Sequence, residues 1–226
     1  LESENFTLTK REFFDAVRLR YRWHLKYLPQ TCPCSKEYTV DHAMQCPKGG
    51  FLLQRHDDVK DTIAKLLDQT CRDVEVEPPL TPLTGERLGN QAKSGDEARL
   101  DIAARGFWQR GQRAFFDVRV FSPFAQSHQN QDLPKVFIKA EREKKRAYNQ
   151  RIIEVEHGSF TPLIFSAYGG YSPETDRFMK ELGNKLAEKL DSDTSIVTNW
   201  LRTKLSFSLI RSAVLCIRGS RTLRRT

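Results

Sequence analysis

The chain has 226 residues, 38% of them hydrophobic and 29% charged, which suits one large domain, or a domain with a small appendage, around an ordinary core. Lys and Arg outnumber Asp and Glu by 37 to 29, and the net charge of +8 favours a polyanionic partner, nucleic acid before membrane. No apolar run approaches a membrane span and no signal peptide opens the chain, so neither a membrane nor a secretory route is expected.

In chain order, residues 7 to 27 read as a helix that Thr7 or Thr9 can cap. Phe13, Phe14, Val17, Leu19, Tyr21 and Trp23 give it an apolar side, and Arg11, Arg18, Arg20, Arg22 and Lys26 make the rest basic. Such a basic face is either simply solvated or a contact for phosphates. Leu1 stands where an initiator Met would, which predicts excision from a longer polypeptide.

Next comes Cys32-Pro33-Cys34, followed by His42 and Cys46. Three thiolates and one imidazole make a full tetrahedral set for structural zinc, with no position left open for a substrate. Clustered cysteines beside a histidine suit metal ligation better than a disulfide framework, and point to a cytosolic or nuclear setting.

Gly49-Gly50 ends this knuckle, and residues 51 to 71 form a helix with Val59, Ile63, Leu66 and Leu67 at helical spacing. His56, Asp57, Asp58 and Asp61 lie on or near its polar side, with Asp58 a minor candidate for a further metal contact. Residues 74 to 77 alternate as a strand that stops at Pro78-Pro79, and 81 to 97 read as an exposed, turn-rich loop. Two short apolar strands follow at 99 to 103 and 115 to 120, joined as a hairpin across Gly106 to Gly111. A polar loop, a highly charged helix from 133 to about 155, and a buried strand at 161 to 167 come next. The chain closes with an amphipathic helix at 174 to 190, one or two helices over 195 to 217, and a frayed basic tail.

The two hairpin strands carry Asp101 and Asp117 near their centres, although Asp is depleted in strands and costly to bury unpaired. A divalent metal accounts for both, because Mg²⁺ takes hard oxygen ligands, commonly one or two carboxylates with water and phosphate. Ion pairing with Arg99 and Arg119 is the structural alternative.

The order helix, three strands, helix, strand, helix resembles the αβββαβ core of the restriction-endonuclease-like fold, the PD-(D/E)xK nucleases. That family carries an aspartate early in its second strand, then an acidic residue in the third with a lysine two positions on. Asp101 and Asp117 match the acids, with Leu100 where the family often has proline, but Arg119 stands in place of the lysine. Arg cannot give up its proton to act as a base, although it can neutralise a phosphate. Some members move the lysine to the following helix, where this chain has Lys144, Lys145 and, one turn later, Tyr148. Tyr148 shares a face with Lys144, which makes Lys144 the preferred candidate.

With the knuckle included, residues 30 to 170 resemble the C-terminal restriction-like endonuclease of site-specific non-LTR retrotransposon polyproteins. The resemblance implies an α/β fold with a mixed sheet, an N-terminal zinc knuckle and extra C-terminal helices. It divides the chain into a basic helix at 1 to 29 continuing from a reverse transcriptase, the knuckle at 30 to 50, the nuclease core at 51 to 170, and helices with a basic tail at 171 to 226. It implies Mg²⁺ or Mn²⁺ on Asp101 and Asp117, with Lys144 or Lys145 orienting the attacking water and Arg119 at the phosphate. It also implies nicking of nuclear DNA to leave a 3′-hydroxyl that primes reverse transcription of the element's RNA. Two alternatives stay open: an inactive nucleic-acid-binding module of the same fold, and a junction-cleaving nuclease.

Overall fold

A computed structural model describes residues 6–81, 99–128 and 130–220, so most of the expected 81 to 97 loop and the end of the basic tail lie outside the described residues. Helix α3 (Phe51–Asp68) starts at Gly50, whose left-handed φ of 74° turns the chain out of the preceding segment. Its Val59, Ile63, Leu66 and Leu67 are fully buried. Each contributes roughly 1.5–3 kcal/mol through the apolar surface it removes from water.

Strands β1 (Arg72–Val76), β2 (Ile102–Arg105), β3 (Arg113–Phe121) and β4 (Ser159–Ser166) form one sheet in the order β1-β2-β3-β4. The pairs β1–β2 and β2–β3 are antiparallel, and β4 lies parallel to β3 over eight paired positions from Ala114 with Ser159 to Phe121 with Ser166. A parallel neighbour requires a crossover, and α4 (Leu133–Glu154) supplies it. The architecture is mixed α/β, with a four-stranded mixed sheet between helical layers and further helices beyond them.

The two faces of β3 show why. Ala114, Phe116 and Val118 join the main core, formed with α3, α5 (Pro173–Leu190) and α6 (Thr194–Arg218). The alternate residues turn to the other side, where Phe115 packs with Ile152 of α4, and Phe121 with Val136, Phe137 and Ala140. Phe107, from the hairpin turn, stacks on Phe178 at 4.9 Å and meets Phe116 edge-on at 5.3 Å. Gly183 lets α5 and α6 approach closely, since a Cβ there would stand 2.7 Å from Thr198 Oγ1.

Helix α6 is a single helix. Its Val197, Leu201, Leu205 and Leu209 fill the main core at four-residue intervals. Ala213, Cys216 and Ile217 then enter a second core with the 32–46 segment and Leu19.

Helix α1 departs from expectation: it covers only Lys10–Tyr21, with a Thr9 capping box, and ends where Arg22 turns left-handed at φ 54°. Phe13 and Phe14 are 55% and 48% exposed, and of its expected apolar side Leu19 alone is buried in a core. Buried Asp15 holds it instead, receiving two 2.7 Å hydrogen bonds from Arg218 at the end of α6. Among the described residues no helix is long and apolar enough to cross a membrane.

Candidate functional site

Two separate clusters carry chemistry. The first lies between α1 and α3. A tight loop closes between Cys32 and Lys36, with Cys32 N–H donating to the Lys36 carbonyl at 2.9 Å and Ser35 in the left-handed region. Thr39 then caps the short helix α2 (Val40–Ala43), which presents His42, and Cys46 follows three residues after that helix. The donor atoms of Cys32, Cys34, His42 and Cys46 all lie within 4.8 Å of one another. Cys32 Sγ stands 3.7 Å from Cys46 Sγ, and Cys34 Sγ 3.2 Å from His42 Nε2.

Sulfurs bound tetrahedrally at 2.3 Å are separated by about 3.8 Å, so the set fits one metal ion. The Lys36 backbone N–H holds the Cys34 thiol below its ordinary pKa, whereas burial pushes Cys32 up. The cluster is fixed to the rest of the fold from two sides. Tyr38 donates to the Ile217 carbonyl at 2.6 Å, and buried Arg55 of α3 donates to the carbonyls of Met44 and Val120.

The second cluster forms where β2 and β3 part. Their last paired positions are Ile102 and Phe116, so Asp101 and Asp117 stand opposite one another one step further on. Asp101 therefore precedes β2 and is not at its centre, as the expected strand at 99 to 103 had it; Arg99 forms an isolated β-bridge with Pro79. With β2 gone from the ladder, the Asp101 carboxylate accepts the Val118 N–H at 2.6 Å. That bond explains locally why a carboxylate is tolerated there.

On the α4 side of β3, Asp117 is 6% exposed, and burial pushes its carboxyl above the usual range against the opposing charge of Lys144. Lys144 Nζ lies 2.8 Å from Asp117 Oδ2 and gives this buried oxygen a charged partner. Half-buried Tyr148, one turn on, holds its ring 5.8 Å from the Lys144 ammonium.

His56 of α3 completes this cluster, and the sequence reading did not single it out. Its Nε2 lies 3.2 Å from Asp101 Oδ2 and 3.1 Å from the Val118 carbonyl, and its Nδ1 lies 3.3 Å from Asp57. The Asp101 hydrogen bond, outweighing burial, lifts the imidazole to about 9. Lys60, four residues on, reaches Glu77 at 2.5 Å and Asp57 at 3.1 Å. A signal was available: His56 and Lys60 share the helical register of Val59 and Ile63, and polar residues on a core-facing stripe must find partners.

Other candidates lie elsewhere. Arg119 shares the Asp117 face of β3 but pairs with Glu143 at 2.9 Å. Lys145 points to Glu174 at 2.6 Å. Asp58 accepts from Ser212 of α6 at 3.0 Å. The chain matches no family model and no curated protein. Chemically, the first cluster can hold a metal ion, and the second joins two carboxylates to a lysine and a histidine at an opening in the sheet.

Proposed function

We propose that the chain is a restriction-endonuclease-like, metal-dependent DNA endonuclease domain of a non-LTR retrotransposon polyprotein, nicking target DNA to prime reverse transcription of the element's RNA. The reading rests on one observation above all: Asp101 and Asp117 face each other where β2 and β3 part, with Lys144 of the crossover helix on Asp117. The element order from α3 to β4, with only the last strand pair parallel, is what an αβββαβ core requires. The net charge of +8 suits a DNA partner, and chromosomal DNA as target makes the nucleus its place of work.

Asp101 and Asp117 would hold Mg²⁺ or Mn²⁺: both are hard oxygen donors, and the two carboxylates stand close enough for each charge to disfavour the other, a repulsion that a shared cation offsets. An ion bound there polarises a phosphoryl oxygen and lowers the pKa of a bound water. Lys144 sets a positive charge beside the reacting phosphate, where charge builds in the transition state. His56 and the Val118 N–H fix the orientation of the Asp101 carboxylate. Arg119, held by Glu143, offers charge to a flanking phosphate and no base. We assign the Cys32, Cys34, His42 and Cys46 cluster to Zn²⁺ in a structural role, because all four positions are taken by protein donors.

One observation favours a second reading. His56 and Lys144 already offset both carboxylates, as a structural ion-pair cluster in a nucleic-acid-binding module would require. Nicking of supercoiled plasmid in Mg²⁺ or Mn²⁺ separates the two. The expected result is metal-dependent formation of open circles, reduced at least ~100-fold by Asp117→Ala. DNA binding without nicking would replace the nuclease by the binding module, and a strong preference for four-way junctions over linear duplex would reassign it to recombination.

A further inference from the structure

Helix α4 carries more positive charge than the Asp117 site uses. At 100° per residue, Lys135, Lys139, Arg142 and Arg146 fall within an arc of about 60°, and Lys144 lies about 180° from Lys135. All four are exposed, and with Gln131, Ile138 and the Arg119-paired Glu143 they line a shallow groove on the outer side of the helix. A helix this rich in charge would normally neutralise such a stripe with its own carboxylates at i+4 spacing. Here those carboxylates are paired with other groups. Glu141 is buried and accepts the Glu174 N–H at the start of α5, Glu143 pairs with Arg119, and Glu154 accepts from Gln150. None of the four cations has an ion-pair partner among the described residues.

We propose that this outer face of α4 is a second nucleic-acid surface, holding the sugar–phosphate backbone of a DNA duplex segment apart from the one at Asp101 and Asp117. The charges step along the axis by about 4.5 to 6 Å over roughly 16 Å of rigid helix. A rigid line of cations suits the regular phosphates of a duplex, which release counterions as they are neutralised. A single strand would call for aromatic side chains on which bases stack, and the stripe contains none. The inference needs phosphate binding and not cleavage, so it goes beyond the nuclease reading and stands or falls separately.

The test is fluorescence anisotropy of an end-labelled DNA duplex of about 30 base pairs, titrated with the full chain over about 50 to 300 mM salt without added divalent ion. The double variant Lys139→Gln, Arg142→Gln keeps good helix formers and should fold normally, as circular dichroism would verify. Its expected effect is at least tenfold weaker binding at low salt, with the slope of log affinity against log salt shallower by about 2. Lys65→Gln with Arg72→Gln removes the same charge from exposed positions on α3 and β1, and should leave most of that slope intact.

Equal slopes for the α4 variant and wild type, a control variant as damaged as the α4 variant, or no duplex binding at all would each overturn the proposal. Tighter binding of an RNA duplex of the same sequence would overturn the assignment to DNA. Plasmid nicking by the same proteins keeps the two readings distinct. Nicking with an unaltered salt slope removes only the α4 surface, and an altered slope without nicking removes only the nuclease.

Discussion

Asp15 and Arg218 sit 203 positions apart and form the most enclosed ion pair between the two ends of the described chain, with side-chain exposures of 3% and 13%. Arg218 also donates to the carbonyls of Lys26 and Tyr27, so one guanidinium ties α1 and the segment after it to the end of α6. Truncating one partner of such a pair strands a buried charge, whereas replacing both with apolar groups is far less damaging. Arg218→Met should therefore cost about 3 kcal/mol in urea unfolding, and adding Asp15→Leu should recover most of the loss. A double variant no better than the single would mean the arginine acts through the Lys26 and Tyr27 carbonyls instead. Nothing local in the sequence reveals this pair. The same is true of Asp101 and His56: that contact depends on where β2 leaves β3, a property of two strands and a helix together. The zinc-type donor set, in contrast, was legible because its four residues lie within fifteen positions and their chemistry is distinctive.

At the scale of elements, α4 divides its residues by angle. Val136, Phe137 and Ala140 face the sheet, Lys144 faces Asp117, Lys145 reaches α5, and the outer stripe faces solvent. Two adjacent lysines consequently have unlike tasks, and substituting each tests that division. Lys144→Ala should reduce nicking by at least ~100-fold, with little change in fold, since its ion pair is replaced by a buried carboxyl already inclined to protonate. Lys145→Ala breaks a surface pair with Glu174, worth no more than about 1 kcal/mol, and should keep most activity. The reverse ranking in a plasmid assay would mean that α4 presents the other lysine to substrate. The bounds of α3, α4 and α5 could be read to within a few residues because their apolar periodicity coincides with burial. That of α1 could not. Its aromatic residues have helical spacing but no core to enter, so only Asp15 and Leu19 are buried on it.

For the molecule as a whole, α6 decides how the parts depend on one another. Its first half belongs to the sheet's core, its last turns belong to the core around Cys32 and Cys46, and Val120 of β3 packs against both. The larger core contains the burial of α3, the sheet and α5 and needs nothing from the metal cluster. The smaller one joins Leu19, Leu25, Tyr38 and Met44 to Phe51 and the last turns of α6, and its 32–46 loops are built around the cysteines themselves, so a bound ion would cross-link them. Losing the ion should then cause a local opening, not global unfolding. Elemental analysis should find one zinc per chain in the wild type and none in Cys46→Ala. Hydrogen exchange should lose protection across residues 30 to 46, α1 and the last turns of α6, and the strands should stay protected. Arg55 sets the limit of the damage, because it bonds Met44 on one side and Val120, three residues past Asp117, on the other. If the strands lose protection together with the cluster, the two cores form one cooperative unit and the metal supports the aspartate site directly. If they do not, the carboxylates and Lys144 keep their arrangement without zinc, and nicking should survive its removal.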